Sequence, residues 1–280
     1  MQHIDEDTIT QAVIARHATA GDTRVRDVMT SLVQHLHAFA REARLTEAEW
    51  AEGVRFLGEC GRSGSEEHAE LVLLSDALGL STLVTALDRR RLKGATESTT
   101  PVALRPADMP GDGQGTVAGD DADVAGESCY VRGRVRSTDG SPIAGARVSV
   151  RPSGTDGAAQ RLSSNGDGAF LARTAVAQAC PIPHDGPVGR LLAALGRPPW
   201  RPAYLHFTIS APGHERLVTH VFRRGGQHLD CDAVFGVRSS LVADWVHHPS
   251  GRTPDGQSRA VPFTTLDFEF VLNPTRGEKP

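Results

Sequence analysis

The period of the hydrophobic pattern changes near residue 95, which limits this chain to a helical region followed by a β-rich one. Before the change, apolar residues recur at helical spacing. Val25, Val28, Met29, Leu32, Val33, Leu36, Phe39 and Ala40 follow a helix-opening Asp22-Thr23. Thr46 and Glu49 in TEAE form a capping box, each side chain serving the other residue's backbone N–H, and they launch a helix through Trp50, Val54, Phe56 and Leu57. Ser65 caps a third expected helix, from Glu66 to about Leu78, and Leu80 to Leu92 is a fourth. The fourth ends in DRRRLKG, with cations in the last turn and Gly94 just beyond, both favourable at a helix C-terminus. The Arg89–Arg91 run is read as the solvated end of that helix.

From Gly111 to Gly126 the chain is Gly, Asp and Ala with few large residues, the composition of a surface connection. After it, apolar and polar residues alternate in short runs. CYVRGRVRSTDGSPIAGARVSVRP reads as a hairpin turning at Asp139-Gly140. AFLART, LHFTISA, RLVTHVFR and TLDFEFVL read as further strands between Gly and Pro breaks. The expected fold is mainly β with an α-helical N-terminal region: a helical dimerisation and linker domain over 1–95, a connecting segment over 96–126, and a β-sandwich of catalytic type over 127–280.

Charge and composition narrow the function classes. Lys and Arg number 30 against 34 Asp and Glu, a formal net charge of −4, and nucleic-acid binding needs uncompensated positive charge. No run approaches the roughly 18 apolar residues of a membrane span. The first ten residues, MQHIDEDTIT, are acidic and lack the apolar stretch of a secretion signal. Cys60, Cys129, Cys180 and Cys231 lie far apart with no CxxC pair, as expected of reduced thiols in a cytoplasmic protein.

The densest chemistry lies in two stretches, CPIPHDGPVGRLLAALGRPPWRPAYLHFTISAPG and LVTHVFRRGGQHLDCDAVFGVRSSLV. On these motifs the chain resembles the intradiol ring-cleavage dioxygenases, most closely the hydroxyquinol branch. That family's pattern is Y-P-I-P-x-D-G-P-V-G, then G-R-x-P-W-R-P-A-H-L-H-F, then L-V-T-H-x-F and D-A-V-F-G-V. MTSLVQHLHAF, RLTEAEW, LLSDALGLSTLV and GATEST in the helical region are similar to family segments too. The resemblance implies a homodimer formed through the helical N-terminal region, with a pocket for an aromatic small molecule between helices and sandwich. It also implies a non-haem Fe(III) held by two tyrosines and two histidines. Phenolates are hard anionic donors suited to Fe(III), and imidazoles bind as neutral ligands.

Three of those four positions differ here. The Tyr of YPIP is Cys180, the first His of H-L-H is Tyr204, and the remaining Tyr position falls on Ala159, so that only His206 survives. The whole chain has two tyrosines, Tyr130 and Tyr204, and Tyr130 belongs to the first sandwich strand. A two-tyrosine site therefore cannot form. Other positions match the family's pocket: Arg201 beside the substrate, Leu73 and Asp76 from the helices, and His220, Ala233 and Val234 across the sheet. Val102 lies in TPVAL, where the family has V-L-G-P-F with a bulky aromatic.

Each candidate has two readings. Cys180 is either a nucleophile or thiolate ligand, or a small inert core residue. Tyr204 and His206, two apart on a strand, share a face and are read as binding or proton-transfer groups. Arg201 either stabilises a substrate oxyanion or pairs with Asp185 or Asp230. His184 and His228 are expected in solvated turns, and His247-His248 are not expected to converge on one ion.

The sequence leads to the expectation of an enzyme without the family's iron site. It would act on a phenolic or polycyclic aromatic by metal-independent cyclisation, rearrangement, hydrolysis or cofactor-free oxygenation, in a specialised biosynthetic pathway and with no cofactor. The alternative is a ring-cleaving dioxygenase that holds iron through Cys180, Tyr204 and His206; a second alternative is a non-catalytic binding protein.

Overall fold

The computed structural model describes residues 4–63, 70–88, 94–99, 127–155 and 159–275. The chain forms two compact units, Met1–Glu59 and Cys60–Pro280. Its helices are α1 (Ile9–Arg16), α2 (Thr23–Glu42), α3 (Glu47–Arg62), α4 (Glu70–Ala77), α5 (Leu80–Asp88) and α6 (Pro187–Ala194).

In the first unit, the helix starts follow from local capping. The Asp22 carboxylate accepts from the N–H groups of Arg24 and Val25 at 2.7 and 3.1 Å, opening α2. Thr46 N–H donates to Glu49 Oε2 at 2.9 Å and Glu49 N–H to Thr46 Oγ1 at 3.3 Å, completing the expected capping box before α3. The apolar stripe of α2, with Val25, Val28, Met29, Leu32, Leu36 and Phe39, is exposed. α1 carries no sequence motif that announces it; Arg41 of α2 ties its start by donating to Glu6 O and Thr10 Oγ1.

The second unit carries the strands: β1 (Ser128–Ser137), β2 (Arg147–Pro152), β3 (Gln160–Ser163), β4 (Ala169–Ala175), β5 (Cys180–Pro181), β6 (Trp200–Arg201), β7 (Tyr204–Ser210), β8 (Leu217–Arg223), β9 (Val242–Ala243), β10 (Trp245–His248), β11 (Gly251–Arg252), β12 (Ser258–Arg259) and β13 (Phe263–Leu272). One sheet has the order β10-β13-β1-β4 and the other β3-β2-β7-β8-β9. Inward residues of both close a single core. Val131, Val135, Leu266 and Phe270 come from the first sheet; Val148, Val150, Leu205, Phe207 and Ile209 come from the second. Phe207 and Phe270 meet across the interior with ring centroids 4.7 Å apart. Each such side chain contributes about 1.5–3 kcal/mol by leaving water.

The expected hairpin over 129–152 is not formed. The turn at Gly140 is present, with φ +86° and Gly140 N–H donating to Ser137 O. Its two arms, however, enter different sheets: β1 pairs with β13 and β4, whereas β2 pairs with β3 and β7. Both arms bury alternate residues on the same core, so each finds more apolar contact on a separate layer than beside its neighbour.

Helices α4 and α5 belong to this second unit. α6 has Gly186 at its N-cap with no capping side chain of its own. The buried Glu70 of α4 takes that place, its Oε2 accepting from Val188 N–H at 3.3 Å. Residues 94–99 run against the sandwich, Thr96 N–H donating to Val271 O and Thr99 N–H to Val218 O, both at 3.0 Å. The expected cap Ser65, the start of the third helix at Glu66, the Arg89–Arg91 run and the connection from Gly111 to Gly126 lie outside the described residues. No single helix among the described residues is long and apolar enough to cross a membrane.

Candidate functional site

The alternation of β7 divides its side chains cleanly. Leu205, Phe207 and Ile209 enter the core, leaving Tyr204, His206 and Thr208 on the outer face of the second sheet. His206 lies directly opposite His220 of β8, and Tyr204 opposite Phe222. Beside this face, β5 and β6 pair antiparallel with Cys180 opposite Arg201. Thus Cys180, Arg201, Tyr204, His206 and His220 come together on one side of the sandwich.

Arg201 is the centre of the site. It is 1 % exposed, and its Nε donates to Asp232 Oδ1 at 3.1 Å. Its partner is therefore Asp232, not Asp185 or Asp230. Asp232 also accepts from Gly236 N–H at 2.8 Å and from Val234 N–H at 3.4 Å, so one carboxylate shapes the 232–236 turn and anchors the guanidinium. Phe235 in that turn has φ +54°, a strained backbone for a side chain without a polar handle. Arg197 holds it there, its guanidinium 4.6 Å from the Phe235 ring centroid and donating to Ala77 O and Ala233 O. A Cβ at Gly236 would come within 3.0 Å of the Arg201 Nη2, so glycine there leaves the guanidinium its room. The Arg201 guanidinium lies 4.5 Å over the Tyr204 ring, and its two terminal nitrogens are buried without a hydrogen-bond partner. A buried cation with donors left open is a seat for an anionic oxygen.

Burial opposes the Arg201 charge, but Tyr204, Asp232 and Cys180 outweigh it and hold its pKa above the usual value. Burial lifts the Tyr204 phenol, with the guanidinium pulling the other way. It also lifts the Cys180 thiol against the same cation. Burial, with Arg201, Arg151 and Arg216 adding to it, pushes His206 down to about 4. His220 is driven well below the normal imidazole value by burial and by Arg201. At neutral pH the site therefore presents one guanidinium, a protonated phenol, a protonated thiol and two neutral imidazoles.

His220 is bonded on both sides: its Nε2 to His206 Nδ1 at 2.9 Å and its Nδ1 to Thr99 Oγ1 at 2.8 Å. Leu73, Asp76, Ala233 and Val234 are buried in the same unit; Val102 lies outside the described residues. Ala159 offers no donor at the remaining family position. His247 bonds Glu127 and His248 bonds Thr265, so the pair does not converge. His228 stacks on Trp200 at 5.5 Å. Sequence reading missed Asp232 and Thr99. Asp232 opens the DAVFGV motif and was there to be noticed, whereas Thr99 is far from His220 along the chain and gives no local signal. A cavity of about 270 Å³ lies beyond Thr99, lined also by Thr96, Glu97, Ser98, Arg238 and Asn273; Cys180, Arg201, Tyr204 and His206 do not line it.

Among the described residues no three His, Cys, Asp or Glu side chains converge on a common point, so an iron here needs the Tyr204 phenol among its donors. The four-ligand set of two phenols and two imidazoles does not fit this chain. The remaining donors in chemical kind are one phenol, one imidazole held neutral and one thiol, Tyr204, His206 and Cys180, all within the electrostatic reach of Arg201.

Comparison with known proteins gives a consistent picture. Residues 22–96 match the family model described as catechol dioxygenase N terminus, and residues 106–274 match the one described as dioxygenase. The chain is 50% identical to 6-chlorohydroxyquinol 1,2-dioxygenase of Cupriavidus pinatubonensis, over 98% of this chain and 100% of that protein. It is 40% identical to hydroxyquinol 1,2-dioxygenase of Nocardioides simplex, over 98% and 97%. Among solved structures, hydroxyquinol 1,2-dioxygenase from Pseudomonas putida DLL-E4 superposes with a TM-score of 0.85 at 37% identity, covering 96% of this chain and 98% of that one.

These matches correct two expectations. Replacement of three ligand positions led to an expectation of metal-independent chemistry with no cofactor, in a biosynthetic setting. End-to-end similarity to named ring-cleaving dioxygenases supports ring cleavage instead, and with it the family's iron. The physical reason is that the count weighed only the exchanged donor positions, whereas the buried Arg201 and the sheet face carrying Tyr204 and His206 persist.

Proposed function

Because the chain belongs to the intradiol ring-cleavage dioxygenase family, we propose that it cleaves the ring of a hydroxyquinol-like aromatic diol, with iron held by an altered set of donors. The observation that carries this reading is the 50% identity along the full length of 6-chlorohydroxyquinol 1,2-dioxygenase. Tyr204, His206 and Cys180 would hold the metal. When bound, ferric iron supplies a centre that activates a coordinated diolate toward O₂, and the thiol softens the site relative to a second phenol.

The chain's own side chains do the rest. Arg201, charged and with its terminal nitrogens open, receives an anionic oxygen of the diol and stabilises charge that builds there. Its ion pair with Asp232 fixes its direction. His206 stays neutral at working pH, so its lone pair is available without first losing a proton. Tyr204 and Cys180 start protonated and would give up their protons to hold a cation, and a Tyr204 phenolate displaced by a diol hydroxyl would take that proton back. The buried Leu73, Ala233 and Val234 would supply apolar wall, and Asp76 a further substrate contact.

The experiment is reconstitution with iron, elemental analysis per subunit, and oxygen uptake with 1,2,4-trihydroxybenzene. Near-stoichiometric iron, with one O₂ consumed per diol and a ring-opened diacid formed, is the expected outcome. Failure to retain iron, or retention without oxygen uptake, overturns the proposal. The homodimer belongs to the same reading and is supported by the exposed apolar stripe of α2. Light scattering is expected to give twice the monomer mass, and a monomer contradicts it.

A further inference from the structure

The two sheets differ in how their strands balance arginine. On the first sheet, Arg132 of β1 meets Asp267 of β13 at 2.6 Å, and Arg136 of β1 meets Glu269 of β13 at 3.1 Å. On the second sheet, none of the residues of β3, β2, β7, β8 and β9 is Asp or Glu. Those strands nonetheless gather three guanidiniums on one face. Val148, Val150 and Leu162 pack with the core. Alternation therefore sends Arg147 and Arg151 of β2 and Arg161 of β3 to the outer face. Arg147 and Arg161 are exposed there, and Arg151 is half-buried.

Register fixes their arrangement. Ser149 lies opposite Arg161, so Arg161 is the diagonal neighbour of both Arg147 and Arg151. Diagonal neighbours lie about 7–8 Å apart, and four residues of strand span about 14 Å. The three cations thus form a shallow triangle around Ser149. On the other flank of β2, Arg151 is opposite His206, Ser149 opposite Thr208 and Arg147 opposite Ser210. The triangle therefore shares a sheet face with His206 and has uncharged polar side chains beside it. Like charges gathered on a sheet raise one another's energy, and an anion that spans two of them relieves it. Guanidinium forks match carboxylates in shape as well as in charge.

The proposed reaction makes such an anion. Cleavage breaks the bond between the two hydroxyl-bearing carbons and adds one atom of O₂ to each, so diol and O₂ together account for every atom of the diacid. Both acids are ionised at neutral pH, because ordinary carboxyls titrate near about pH 4.

We propose that Arg147, Arg151 and Arg161 form a carboxylate-binding subsite for the ring-opened dicarboxylate product, on the sheet face that also carries His206. The identity of the ligand as product rests on the ring-cleavage reading and deepens it; the affinity of the face for a dicarboxylate does not depend on turnover.

The test is calorimetric titration of cis,cis-muconate, a ready-made ring-opened dicarboxylate, into the full chain with and without iron. Saturable binding that weakens as salt is raised is the expected result. Sorbate, the same six-carbon diene with a single carboxylate, is expected to bind about 5-fold more weakly or worse. Arg147→Gln and Arg161→Gln, both at exposed positions, should each weaken muconate about 2–5-fold and together about 10-fold, with the KM for 1,2,4-trihydroxybenzene changed by less than about 2-fold. Absence of saturable binding overturns the proposal, as does binding indifferent to salt or equally tight for sorbate. Wild-type affinity in the double variant overturns it too, because Arg201 alone would then take the anion. Muconate binding that the double variant weakens, in a protein that fails to cleave diols, supports the subsite and counts against the ring-cleavage reading alone.

Discussion

Asp232 is asked to do two things with one carboxylate, and its removal is correspondingly costly. It neutralises a fully buried guanidinium and satisfies the N–H groups of Val234 and Gly236. Breaking a buried pair from one side costs about 3–5 kcal/mol, because the remaining charge stays out of water. Asp232→Ala is expected to lose that much in urea unfolding and to lose turnover as the Arg201 side chain drifts. A second prediction concerns acid. Folded His206 has a pKa of about 4 against about 6.5 for a free imidazole, so between these values the unfolded chain binds more protons than the folded one. Stability of the metal-free protein is therefore complete above about pH 6.5 and falls as pH drops toward 4. His206 contributes a slope of at most about 1.4 kcal/mol per pH unit. His220, shifted in the same direction, steepens it. Urea midpoints from pH 7 to 4.5 should fall along this window and flatten in His206→Asn; a wild-type midpoint that holds constant contradicts the assignment. At this scale, Arg201, Tyr204 and His206 were legible because a strand's period of two and a long local motif place them together. The partner of Arg201 was not, because charge pairing leaves no period in a sequence.

The elements were legible wherever their signals are local. Asp22 and the Thr46–Glu49 box fix helix starts within four residues, and alternation located β4, β7, β8 and β13. β1 and β2 were also located, but their pairing was misread, because a run, a turn and a run describe equally a hairpin and a crossing between layers. What separates the two is the partner strand, and β13 comes from the far end of the chain. α6 was not anticipated because its cap is supplied from α4. Glu70→Ala should therefore destabilise α6 at a distance, by about 1 kcal/mol, as for loss of a conventional cap. Gly133 in β1 allows the Phe170 ring to lie on the strand itself, where an added Cβ would fall 1.9 Å from Cζ. Gly133→Ala forces that ring off Phe270 and is expected to cost about 1–3 kcal/mol in chemical denaturation. An unchanged midpoint would mean that the ring has free space elsewhere.

At the scale of the whole molecule, the fold was readable from two ordered sets of motifs, whereas the chemistry was misjudged by counting ligands. Three lost donors outweighed the retained arginine in that count, although the buried arginine and the sheet face beside it persist. If the fold and the metal are separable in this way, chelating iron from the loaded protein should abolish oxygen uptake while far-ultraviolet circular dichroism stays unchanged. The described core is closed by apolar side chains from two sheets, none of them among the proposed iron donors. A collapse of the sandwich on chelation would contradict this.

The in-register parallel pairing of β1 with β13, from Ser128 beside Phe263 to Ser137 beside Leu272, has a consequence for the order of events at the ribosome. β1 sits between β4 and β13, so one of its edges can be satisfied early and the other only when the final strand emerges. Until then a ten-residue strand exposes a row of unpaired N–H and C=O groups, the kind of edge on which chains join one another. Nascent chains that stop short of Phe263 should therefore be protease-sensitive and prone to self-association, and those that pass Leu272 should lock in one step.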